Sequence, residues 1–191
     1  MTRGIWLAGA ALLLSSGAMA RDRAELQCIE SGYTAEERAE IDELLPDVNM
    51  LDDAGDATMD AIGTVVGDVA IDCADTYEWN DSEFEAALFY ELGRLVETAI
   101  RRHGPLPQVD VTNIDAALAK GDRSALWAAL EEQVNIGIAG EDASVGEANA
   151  KVFEDFVMEI GFGMDEATAE LVGAFLATLA MQRMSARNFV G

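Results

Sequence analysis

The chain of 191 residues sets 36 acidic side chains against 12 basic ones, for a formal net charge of −24. That balance disfavours nucleic acid, because repulsion from phosphates opposes the counterion release that drives such binding, and it disfavours anionic membrane surfaces for the same reason. Half of the residues are hydrophobic, enough for one domain with a proper core, and the acids are spread evenly, as on a solvated surface rather than a site built for one basic partner.

Met1 to Ala20 carries the pattern of a secretory signal peptide. Arg3 makes the start positive, Ile5 to Leu14 is an almost uninterrupted apolar run, and Ala18-Met19-Ala20 offers the small residues that cleavage needs. The run is about ten residues, short of the roughly twenty that span a bilayer, so cleavage after Ala20 is expected. The mature protein then begins at Arg21, in the periplasm or outside the cell, with a charge of about −25 once Arg3 is lost. Cys28 follows Glu25-Leu26-Gln27 rather than small apolar residues, which argues against a lipid-bearing cysteine.

Both cysteines, Cys28 and Cys73, fall in the mature part. An oxidising compartment then allows one intramolecular pairing, and closing that loop contributes about 4 kcal/mol in the chain-entropy picture. A redox role lacks the Cys-x-x-Cys spacing that would support it.

Downstream of Arg21, apolar residues recur at spacings of three and four, which predicts an all-α, single-domain helical bundle of six or seven helices over residues 21–191. Thr34 with Glu37, Ser82 with Glu85, Thr112 with Asp115 and Ser144 with Glu147 each give the Ser/Thr-x-x-acid pattern of a helix start. The first helix runs from Thr34 to about Leu45, ended by Pro46. The second, from about Asp53 to Tyr77, puts Met59, Ile62, Val66, Val69 and Cys73 on one stripe. Gly63 and Gly67 share another face, where a neighbouring backbone is expected to come close. The third, from about Asp81 to Arg102, presents Phe84, Leu88, Leu92, Leu95 and Ala99, with Arg101, Arg102 and His103 complementing the dipole in its last turn. Gly104, Pro105 and Pro107 then break the chain.

A short helix from Thr112 to Ala119 precedes one from about Asp122 to Gly137, with Leu126, Trp127, Leu130 and Val134 inward. After a glycine-rich link, Val145 to Gly161 shows Val152, Phe153, Phe156, Val157 and Ile160 on one face. The last helix, Asp165 to about Arg187, is apolar on every side from Leu171 to Met181, which places it at the centre of the bundle.

The inventory of chemistry is short. His103 is the sole histidine, so zinc sites with two imidazoles and paired Glu-x-x-His di-iron sites are excluded; its place in a basic last turn already has a structural cause. Met181-x-x-Met184 has a spacing that a soft cuprous ion tolerates, and His103 with one methionine is the remaining way to hold haem, yet methionines near a buried helix end are ordinarily core filler. Asp52, Asp53 and Asp56 do not form a calcium loop and instead suit a helix start. Glu91 interrupts the apolar face of the third helix, either as a lone catalytic glutamate with raised pKa or as a buried hydrogen-bonding group. No catalytic, cofactor or metal residue is therefore assigned, and no cofactor is expected. The leading expectation is an exported, noncatalytic binding module that takes a protein or a small ligand between helices. The alternatives are a carboxylate-dependent envelope hydrolase or lyase and a metal- or haem-binding bundle.

Overall fold

The computed structural model describes residues 21–49, 55–104, 106–139, 146–161 and 166–191. Residues 1–20, where a signal peptide is expected, lie outside the described residues, as do Asp52, Asp53, Ser144 and the Asp56 side chain. Within them the protein is an all-α single domain: α1 (Gln27–Gly32), α2 (Ala35–Leu44), α3 (Gly55–Tyr77), α4 (Asp81–His103), α5 (Gln108–Leu118), α6 (Ser124–Ile138), α7 (Glu147–Glu159) and α8 (Glu166–Val190), with short 3-10 helices at Arg23–Leu26 and Leu45–Asp47. Eight α-helices stand where six or seven were expected. The addition is α1, one and a half turns long and too short to show a period. Among the described residues no helix is long and apolar enough to cross a membrane.

α1 is held by its packing on α3. Cys28 and Cys73 stand at disulfide distance with their Cα atoms 6.0 Å apart. One turn further on, Gly32 faces Val69: a Cβ at Gly32 would come within 2.7 Å of Val69 Cγ1. Cys28 and Gly32 share a face of α1 as Val69 and Cys73 share a face of α3, so the two helices meet antiparallel along a seam that only a glycine lets close. Gly63 and Gly67, expected to admit a backbone, have nothing within 4 Å of their Cβ positions; the face they share is open.

Arg21 fastens the N-terminal end of the helical part to the α3–α4 turn. Its guanidinium donates to the carbonyls of Tyr77 at 2.8 Å and Glu78 at 2.5 Å and pairs with Glu83 at 2.9 Å, placing a cation on the free carbonyls at the end of α3. Glu78 adopts a left-handed φ of 55° and Trp79 N–H returns to Ala74 O at 3.0 Å, closing the helix as a C-terminal cap does. α4 then starts on Asn80, whose Oδ1 accepts from Ser82 and Glu83 N–H while the Glu83 carboxylate accepts from Asn80 N–H. The expected Ser82–Glu85 start is thus displaced to Asn80–Glu83, the register in which Glu83 also reaches Arg21. The Thr34–Glu37 box forms as expected. Thr112 does not start a helix: α5 begins after Pro107 and the Thr112 hydroxyl donates back to Gln108 O at 2.8 Å. α7 begins at Glu147 behind Gly146 rather than at Val145.

α4 and α8 form the antiparallel spine. Trp79 meets Phe189 edge-on with ring centroids 5.2 Å apart, Gln182 donates to Gly93 O and Glu97 at 3.2 and 2.7 Å, and Arg101 lies 5.0 Å from the Phe175 ring centre. Around this spine the core falls into two clusters. One gathers Ile29, Leu45, Ile62, Val66 and Leu95 with the Phe189 end of α8; the other gathers Ile114, Leu126, Phe156 and the Val172–Ala180 portion of α8. Val172, Phe175, Leu176 and Ala180 are wholly buried, so the apolar stretch of the last helix does occupy the interior. On α4, Phe84, Leu88 and Leu92 are only half-buried, whereas Ala86, Ala87, Gly93 and Val96 are buried, because that helix is covered on two sides.

Candidate functional site

The residues that carry chemistry are scattered. His103 is exposed at the end of α4. Met184 is buried in α8 and Met181 leans its methyl toward Gly93 of α4, so both serve packing. Among the described residues, no three His, Cys, Asp or Glu side chains gather as a metal-ligand set.

Glu91 is the exception in burial, with no accessible surface at all. Its Oε1 accepts from the Tyr33 hydroxyl at 2.8 Å and from Arg94 at 2.6 Å, and its Oε2 accepts from Arg94 at 2.8 Å. Arg94 reaches on to Glu30 at 3.2 Å. The carboxylate sits under a small polar pocket of about 220 Å³, but both oxygens are already engaged by a bidentate guanidinium and a phenol. Burial and, after it, the Glu91 charge push the Tyr33 hydroxyl well above its ordinary value, so Tyr33 is a hydrogen-bond donor at all working pH. This arrangement binds α1 and α4 together; a general acid would need a proton on Glu91 and an oxygen turned toward substrate.

A different kind of site lies between α6, α7 and α8. There a cavity of about 460 Å³ opens under Phe153 and Val157 of α7, Leu126 and Leu130 of α6, and the floor of α8. The floor explains the void. Ala169, Gly173 and Ala177 recur every four residues on one face of α8, so three successive turns offer no side chain longer than a methyl. A Cβ at Gly173 would meet only Phe153 Cζ, at 3.6 Å. Ala129 and Ala150 leave the opposite walls equally short.

Polar groups are confined to Gln133, Asn149 and Glu154, and the Asn149 amide donates to Glu132 at 3.0 Å, tying α7 to α6. An apolar recess of this size with few polar groups has the form of a small-molecule site. For scale, a cavity of about 150 Å³ lined by aliphatic and aromatic side chains holds one benzene, so the volume here suits a body of about three rings or a folded alkyl chain. Sequence reading placed Leu126, Leu130, Phe153 and Val157 inward but missed the site. Its signal is the Ala-x-x-x-Gly-x-x-x-Ala spacing from Ala169 to Ala177 within a helix otherwise rich in bulky residues.

Compared with known proteins, the chain matches no family model, no curated protein and no solved structure.

Proposed function

We propose that this is an exported, noncatalytic helical binding protein that takes a small, uncharged apolar ligand between α6, α7 and α8. The observation that carries the reading is the cavity of about 460 Å³ whose floor is made of Ala169, Gly173 and Ala177. The recess is open to solvent and its lining is almost wholly apolar, so an apolar ligand seated there removes that surface from water, at roughly 25 cal/mol per Å². Export is supported by the Met1–Ala20 pattern and by a cysteine pair at disulfide distance, a bond that lasts in oxidising compartments. The hydrolase reading loses its support at Glu91, whose two oxygens are engaged by Tyr33 and Arg94.

The test is a fluorescence titration of the full-length protein, expressed with its own N-terminal segment, with N-phenyl-1-naphthylamine, an uncharged apolar fluorophore. One saturable site per chain is expected. Ala177→Phe and Ala150→Phe, which fill the cavity from opposite walls, abolish it while leaving the circular dichroism spectrum unchanged. A signal that fails to saturate, or that survives both substitutions, overturns the assignment.

A further inference from the structure

A further recess, of about 620 Å³, runs along the C-terminal half of α8, and its lining charge is opposite to that of the chain. Arg23 from the first 3-10 helix, Arg101 from α4, and Arg183 and Arg187 one turn apart on α8 line it, against Asp115 as the lining carboxylate. In a chain with 12 basic side chains and 36 acidic ones, four arginines around one recess run against the overall balance. Fold stability accounts for Arg101, which is engaged by Glu97 at 2.7 Å and by both oxygens of Asp115 at 2.8 and 2.9 Å.

Arg183 and Arg187 are different, because both point at one carboxylate. Arg187 donates to Glu131 at 3.1 and 2.8 Å and Arg183 stands 3.4 Å from it, so one negative charge faces two positive ones. Both guanidiniums remain open to solvent, with side chains 56% and 57% exposed. Arg183 lies 5.3 Å from the centre of the Trp127 ring, and the floor beside them is apolar, with Leu179, Ala186 and Val190.

We propose that this groove is a binding site for a small organic anion, a carboxylate carried on a flat apolar body. The carboxylate is taken by Arg183 and Arg187, and the body lies on Trp127, Leu179 and Val190. Guanidinium forks match carboxylate geometry. Glu131 and the Trp127 ring hold them in place beforehand, so little side-chain freedom is lost when the anion arrives. Four arginines against one lining carboxylate, in a chain of net charge −24, give the groove a local sign that favours the approach of an anion. It shares α6 and α8 with the apolar cavity but uses other faces of them, Trp127 instead of Leu126 and Leu179 instead of Ala177.

Isothermal titration calorimetry of the full-length protein with 2-naphthoate, and with the uncharged 2-naphthamide as control, tests this. The acid is expected to bind one-to-one and at least about tenfold more tightly than the amide. The Arg183→Gln/Arg187→Gln double variant weakens the acid about tenfold or more, added salt and Arg23→Glu weaken it in the same direction, and Ala177→Phe leaves it unchanged. Equal affinity for acid and amide, an unaffected double variant, or a loss confined to Ala177→Phe overturns the proposal; the last result would place the anion in the apolar cavity instead. Should the double variant fail to fold, Arg23→Glu, at an exposed position, carries the test alone, and no change in acid affinity there overturns the proposal.

Discussion

Two glycines on the spine and the cavity floor carry opposite expectations for the same chemical change. Both lie inside long helices, where replacing glycine by alanine is favourable by about 0.8–1 kcal/mol from backbone entropy alone. At Gly173 nothing opposes that gain, since the new methyl would meet only Phe153 Cζ at 3.6 Å, an ordinary contact. Gly173→Ala should therefore stabilise by about 0.5–1 kcal/mol.

At Gly93 the methyl would lie 2.8 Å from Gln182 Cγ, 3.1 Å from Met181 Cε and 3.4 Å from Thr178 O. Gln182 cannot swing away freely, because its amide holds Gly93 O and Glu97. Overpacking costs about 1–3 kcal/mol and a lost hydrogen bond about 0.5–1.5 kcal/mol. Steric cost outweighs propensity, and Gly93→Ala should destabilise by about 1–2 kcal/mol. For a chain of this length each kcal/mol moves Tm by about 2–4 °C, so the two variants should separate in opposite directions from wild type. Urea unfolding followed by circular dichroism, with equal slopes in all three proteins, measures the difference. A Gly93→Ala protein as stable as wild type or more so would mean that α4 and α8 do not approach closely at that point, and the packing of the spine around Gln182 would be wrong.

Glu91→Gln keeps the shape but leaves Arg94 with Glu30 as its remaining carboxylate; because Arg94 keeps some solvent contact, the loss should be about 2–3 kcal/mol, short of that for a wholly buried broken pair, and urea unfolding that shows no loss would remove the network from the account. Replacing Cys28 and Cys73 together by alanine should cost about 4 kcal/mol for a pairing separated by 45 residues, read as a matching drop in wild-type stability under reductant; equal stability with and without reductant contradicts an oxidised bridge. The Glu83 carboxyl is held below its ordinary value of 4.5, first by the hydrogen bond from Arg21 and, among the further causes, by the backbone of Asn80. A lowered folded pKa contributes stability that is present above the unfolded value and is lost as pH falls through the folded one, so the advantage of wild type over Glu83→Gln should shrink between about pH 5 and pH 3. An advantage that holds constant across that window would show that Glu83 does not change its charge there.

What the sequence discloses divides by range. Thr34 and Glu37 are neighbours on one helix end, and their reciprocal bonds form as read. Ser82 with Glu85 reads as the local start, yet α4 begins on Asn80 with Glu83, the register in which Glu83 also meets Arg21, some sixty residues away in sequence. Glu91 stands out as a polar break in an apolar face, yet its partner Tyr33 directly follows α1, a helix too short to show a period. Gly93 and Gly32 are indistinguishable in sequence from Gly63 and Gly67, because a close approach belongs to the neighbour as much as to the glycine. The cavity stayed hidden for a related reason. An apolar stretch implies burial, and Leu171–Met181 is buried on the side of Val172, Phe175 and Leu176; its other side, with Ala169, Gly173 and Ala177, faces a space that α6 and α7 do not fill.

Diffraction from a crystal soaked in iodobenzene tests the binding reading most directly, because the heavy atom reports position without reference to affinity or activity. An iodine peak enclosed by Ala129 of α6, Phe153 of α7 and Gly173 of α8, absent in Ala177→Phe crystals, is the result the account predicts. A space between those helices filled by the protein's own side chains, with no iodine there, would contradict it.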